Sequence, residues 1–97
     1  MSGKYVLDAA GNPKPEPDLM AWSKWFEKGD RVVAKTSVGE AEVSTVFLGL
    51  DHSFGGSAPL LYETMVFGGP FDGEQERYAT KDQAQAGHAE WVAKVSR

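Results

Sequence analysis

Between Val43 and Phe67 the chain reads VSTVFLGLDHSFGGSAPLLYETMVF, two apolar runs (43–50 and 60–67) flanking a segment of Gly, Ser and Pro. Each run has strand length and is rich in β-branched or aromatic residues, and Gly and Pro break the chain between them. Two such runs this close together pair most simply as antiparallel neighbours at the centre of a sheet, with a polar loop at one end. Side chains alternate between faces along a strand. Val43 and Phe47 therefore share one face of the first run, and Val46, Leu48 and Leu50 the other. A strand apolar on both faces is expected to be covered on both, by helices or by one helix and a partner chain. In the second run Leu60, Tyr62, Thr64 and Val66 oppose Leu61, Glu63, Met65 and Phe67, which leaves Glu63 as a carboxylate in an apolar row.

The remaining elements arrange themselves around this pair. Lys4–Asp8 is a short strand candidate ended by the turn cluster Ala10-Gly11-Asn12-Pro13. The prolines that follow, Pro15 and Pro17, favour an extended, polyproline-like path. Asp18 is placed to cap a helix over 19–28, where Leu19, Trp22 and Phe26 share a face and Gly29-Asp30 ends the element. Residues 31–36 read as a strand, and Gly39 suits the tight turn into the strand that starts at Glu42. Glu76–Ala79 returns beside 60–67. Thr80-Lys81-Asp82-Gln83 has the pattern of a capping box, opening a helix to about Val95 whose stripe is Ala84, Gly87, His88, Trp91, Val92 and Val95. Gly87 inside that helix points to close approach to the sheet. The expected fold is α+β: one domain over residues 1–97, an antiparallel meander of four or five strands, the C-terminal helix across one face, and the short N-terminal helix at an end or on the other face.

Charge narrows the classes of partner. Ten Lys and Arg stand against fourteen Asp and Glu, a net charge of −4. The basic residues are scattered, which argues against a nucleic-acid groove, since phosphate backbones demand clustered cations. A small anion needs only one or two cations and some N–H donors, so a local anion pocket remains compatible. The absence of cysteine removes disulfides, thiolate metal sites and a cysteine nucleophile. No apolar run approaches the roughly 20 residues that span a bilayer, and the opening MSGKYVLDAAG lacks the apolar core of a signal peptide. A cytoplasmic protein without membrane association is the expectation.

Few residues are placed for chemistry. Asp51 and His52 follow a strand end, and with Phe54, Gly55, Gly56 and Ser57 they form either a polar loop site with amides turned to an anion or a hairpin loop in which Asp51 makes an Asx-turn. Glu63 is either a general base or the cross-strand partner of Arg77. Tyr62 and Thr64 either pack or line a pocket. His88, on an apolar stripe, reads as a hydrogen-bonded core residue. Neither metal-ligand spacing nor a GxSxG elbow occurs, so no metal or other cofactor is expected. Trp22, Trp25 and Phe26 crowd one short helix and either cap the core or leave a ring free for stacking or for a subunit interface.

The run VSTVFLGLDHSF, then PLLYETMVFGG, RYAT and the Gly87-His88 pair, together with the opening YVLDAAGNPKPEPDLMAWSKWFE, resembles a recurring group of small uncharacterised bacteriophage and prophage proteins. That resemblance covers nearly the whole chain and implies a phage accessory protein acting in the host bacterial cytoplasm. The expected function is anti-defence: a homo-oligomer that sequesters a small nucleotide-derived immune signal without turnover. Asp51, His52, Phe54, Gly55, Gly56 and Ser57 would form its loop, and Arg77, Tyr78 and Trp25 would supply a cation and stacking surfaces. The alternatives are an inhibitor that binds a host defence protein through its Trp-rich helix, and a small hydrolase using His52 and Glu63.

Overall fold

The computed structural model describes residues 3–53 and 58–97. Its elements in chain order are β1 (Tyr5–Leu7), β2 (Pro13–Pro15), α1 (Leu19–Lys28), β3 (Val32–Val38), β4 (Ala41–Phe47), β5 (Tyr62–Phe67), β6 (Gln75–Tyr78) and α2 (Lys81–Val95). Strands β3 to β6 form an antiparallel meander in the order β3-β4-β5-β6. The two apolar runs are its central pair, with Val43 opposite Val66 and Phe47 opposite Tyr62. Gly39 takes the positive φ of the β3–β4 turn, which closes Val38 onto Ala41.

The alternation read from the sequence fixes which face α2 covers. Ala41, Val43, Thr45 and Phe47 of β4 are buried, as are Tyr62, Thr64 and Val66 of β5. From α2 come Ala84, Gly87, His88 and Trp91. The core has two parts along this interface. Phe47, Leu61, Tyr62, Tyr78 and Ala84 lie toward the start of α2, closed by Tyr5, Leu7, Trp25 and Val33; Val43, Val66 and Trp91 lie toward its end. Truncating a buried Phe such as Phe47 to Ala costs about 3–5 kcal/mol. Gly87 is required by contact: a Cβ there would land in the ring of Tyr78.

Both helix starts match their sequence signals. Asp18 accepts from the Met20 and Ala21 amides, and Thr80 with Gln83 closes the reciprocal capping box.

Three expectations are corrected. The opposite face of β4 has no cover among the described residues. Glu42, Ser44 and Val46 are half-buried there, and the face carries the pairs Lys35–Glu42 (3.7 Å) and Glu63–Arg77 (3.0 Å). That row is polar at two of its three positions, and no helix of the chain lies over it among the described residues. The first apolar run also ends as a strand at Phe47 rather than at residue 50, because Gly49 takes φ +76 and its backbone lies against Phe26. Finally, the proline segment is a strand. Residues 13–15 pair with β1 as a separate hairpin, held by the Asp8 carboxylate, which accepts from the Ala10 and Asn12 amides. This hairpin joins the rest through Tyr5 N–H to Gly49 O (2.8 Å) and the Lys4–Leu50 bridge.

Candidate functional site

The hairpin, the start of β3 and the first turns of α2 do not close completely on one another. Between them lies a cleft of about 290 Å³, walled by Leu7 and Val33 and carrying Arg31, Lys81, Gln85 and Tyr62. The chain builds it locally. Between Val32 and Ala34 the β3–β4 register slips by one residue, so Val33 is the extra residue of a bulge. A bulge re-aims side chains where a sheet needs to open. Val33 consequently packs on the core while bordering the cleft. Arg31 is held just before the bulge: its backbone carbonyl accepts from the Phe47 amide (2.7 Å), and its guanidinium lies 4.0 Å from the centre of the Phe26 ring. Lys81, the first residue of α2, reaches over the hairpin tip, its ammonium 4.0 Å from where a Cβ on Gly11 would stand.

Tyr62 is the unusual member. Its side chain is 1% exposed, and its hydroxyl is buried with no hydrogen-bond partner among the described residues. An unmet buried hydroxyl costs about 1–3 kcal/mol, and native structures keep few of them. Burial also pushes the phenol above its ordinary pKa of 10.0, so at neutral pH the group retains its proton and remains a donor. Asp30 also borders the cleft, but its carboxylate accepts from the Val32 amide (3.1 Å). The charges among the residues lining the cleft are thus Arg31, which also donates to Phe47 O (3.5 Å), Lys81 and Asp30, in a chain that is negative overall.

A second cleft of about 380 Å³ lies on the other side of the Gly11–Lys81 approach. Tyr5, Pro13, Leu61 and Ala79 give it apolar lining, and Asn12 and Asp82 line it as well.

The residues singled out in the sequence are distributed differently. Asp51 serves its own loop: its carboxylate accepts from the Ser53 (2.8 Å) and Leu60 (3.0 Å) amides, the Asx-turn arrangement. Those bonds, that from Ser53 first, hold its pKa below the usual value. His52 bonds through its amide to the Leu60 carbonyl (3.1 Å). Phe54, Gly55, Gly56 and Ser57 lie outside the described residues. Arg77 donates to Glu63 on the open face of the sheet, whereas Tyr78, its neighbour, points to the other face and lies under Gly87. Trp25 meets Phe47 edge-on in the core (5.7 Å between ring centres), and Trp22 stacks on Phe26 while donating to Gly49 O (3.0 Å). Arg77 is therefore separated by the sheet from Tyr78 and Trp25. The Trp22/Trp25/Phe26 cluster is spent on internal contacts, and the exposed apolar residues of α1 are Leu19 and Met20.

His88 is the hydrogen-bonded core residue its position suggested. Its Nδ1 pairs with Thr45 Oγ1 (2.8 Å) and its Nε2 with Thr36 Oγ1 (2.9 Å), and Thr45 in turn pairs with Thr64. Glu63 and His88 lie on opposite faces of the sheet. Among the described residues no three His, Asp or Glu side chains gather as metal ligands.

Of the cleft residues, sequence reasoning singled out only Tyr62 as a pocket candidate. Arg31 and Lys81 stand far apart in the chain; the packing of α2 on β3 brings them to one cleft, which the β1–β2 hairpin walls with Leu7 and Gly11. The one local sign was the pairing of a cation with a structural punctuation mark, Asp30-Arg31 at a helix stop and Thr80-Lys81 at a helix start. No family model, curated protein or solved structure matches this chain. No helix among the described residues is long and apolar enough to cross a membrane.

Proposed function

We propose that the chain binds a small phosphate-bearing ligand of the nucleotide class in the Arg31–Tyr62–Lys81 cleft and releases it unchanged. The observation that carries this reading is the Tyr62 hydroxyl, a neutral donor buried with no partner among the described residues, in a residue that lines a cleft with Arg31 and Lys81. An anionic oxygen is the acceptor such a donor lacks, and charge-assisted hydrogen bonds to it are about twice as strong as neutral ones. Lys81 supplies a mobile point charge, and Arg31, fixed against Phe26, a planar one.

The test is calorimetric titration of inorganic phosphate into the wild type, Tyr62→Phe and Lys81→Met. Saturable binding weakened about tenfold in each variant is expected, since a hydrogen bond to a charged group contributes about 1.5–3 kcal/mol. Equal affinity in all three proteins would remove the cleft from consideration.

The biological setting in this proposal follows the phage resemblance: a homo-oligomer in the bacterial cytoplasm that sequesters a nucleotide-derived signal of host defence. Native mass spectrometry of protein purified from defence-active cells is expected to show an oligomer carrying a releasable nucleotide-sized mass. A bare monomer would overturn that setting and direct the search to a host protein.

A further inference from the structure

The second cleft and the first share Gly11 and Lys81, so a single ammonium stands between two compartments of different chemistry. One holds both cations and the unpartnered phenol. The other is lined by the partly buried Tyr5, by Pro13 and by the edge of the core residue Leu61, with Asn12 exposed beside them. Resting on the anion-binding reading above, we propose that the two clefts form one bipartite site for a nucleoside monophosphate. The phosphate lies between Arg31, Tyr62 and Lys81, and the base lies against Tyr5, Pro13 and Leu61 with its polar edge toward Asn12.

Three features support this division. Each compartment is of the order of the smallest small-molecule pockets, about 300 Å³, so neither needs to hold a whole nucleotide. An aromatic ring beside a proline and a leucine suits the flat face of a base, since stacking on an aromatic side chain contributes about 1–3 kcal/mol and tolerates any base. The charge balance also favours one phosphate. Arg31 and Lys81 against Asp30 leave the first compartment with a net positive charge that suits a single phosphate, and further phosphates would add negative charge beside Asp30 or beside Asp82 of the second. Lys81 is the residue common to both halves, placed to follow the phosphate ester oxygen that joins them.

Asn12 is the specific probe of the base compartment. Its backbone holds the hairpin turn, with its amide on Asp8 Oδ1 and its carbonyl accepting from the Asp8 amide. Asn12→Ala preserves both bonds and removes only the side-chain amide. The experiment is calorimetric titration of the full chain with the four common nucleoside 5′-monophosphates, with adenosine and with inorganic phosphate. The expected result is that at least one monophosphate binds tenfold or more tightly than either fragment. Asn12→Ala should weaken that monophosphate several-fold while leaving inorganic phosphate unchanged, and Lys81→Met should weaken both. If every monophosphate binds no better than inorganic phosphate, the bipartite assignment is overturned while anion binding in the first cleft stands. If inorganic phosphate and the monophosphates all fail to bind, both readings fall together.

Discussion

Tyr62 and His88 lie on the same covered face of the sheet and resolve their burial in opposite ways. His88 has a hydroxyl at each ring nitrogen, and these bonds tie α2 to β3 and β4. Either neutral tautomer fits them, because each threonine donates or accepts as required. Burial lowers its pKa from the ordinary 6.5. As pH falls below 6.5 the unfolded chain takes up a proton before the folded chain does. This contribution to stability is therefore full above 6.5 and declines from there down to the folded value. Urea unfolding at pH 7.5 and pH 5 should show the wild type losing more stability than His88→Gln; parallel loss in the two would contradict it. Asp51 has the same sign in a lower window, below 3.8, where its loop bonds are protonated away. Arg77, by contrast, pairs with Glu63 on the other face of the sheet, the side chains 35% and 13% exposed, and a partly shielded pair of this kind contributes about 1 kcal/mol. Arg77→Ala is expected to change stability by no more than that and to leave phosphate affinity intact, as read by calorimetry.

At the scale of elements, most of the fold was legible because each start and stop carries its own chemistry. The capping box at Thr80, the cap at Asp18 and the turn at Gly39 all form where their residues stand. The pairing of β4 with β5 followed from two apolar runs, and the buried face of each from its alternation. Less legible were effects that depend on what an element meets. Pro13–Pro15 forms a strand because Asp8 folds the turn that brings it back onto β1, a pairing that its two prolines argue against. Gly87 was readable as a close approach, but its partner, Tyr78, was not. Replacing Gly87 with Ala gains about 1 kcal/mol of helix propensity, yet overpacking a filled site costs about 1–3 kcal/mol. Because the added methyl lands in the Tyr78 ring itself, the net effect is expected to be destabilising, seen as a lower Tm; an unchanged or raised Tm would contradict the packing described.

For the whole molecule, the candidate site is a product of assembly. Arg31 ends the link after α1, Tyr62 opens β5 and Lys81 opens α2, and they share a cleft once α2 packs on the sheet and the β1–β2 hairpin closes one side of it. A sequence shows charges and aromatics in order along the chain, so a loop rich in polar residues at 51–57 attracted attention while Arg31 and Lys81 did not, and Tyr62 was read only as packing or lining a pocket. The buried, unpartnered hydroxyl was invisible to pattern altogether, since tyrosine on a covered face ordinarily finds its partner. It also makes the clearest test. Urea unfolding of the wild type and Tyr62→Phe should be measured without ligand and with a saturating nucleoside monophosphate. The predicted result is that Tyr62→Phe is as stable as the wild type or more so without ligand, because it loses only an unpaired hydroxyl. With ligand at 100 times its dissociation constant, the wild type should gain about 2.7 kcal/mol. The variant, binding about tenfold more weakly, should gain about 1.4 kcal/mol less. A variant destabilised without ligand, or one stabilised by ligand as fully as the wild type, would contradict the role assigned to Tyr62.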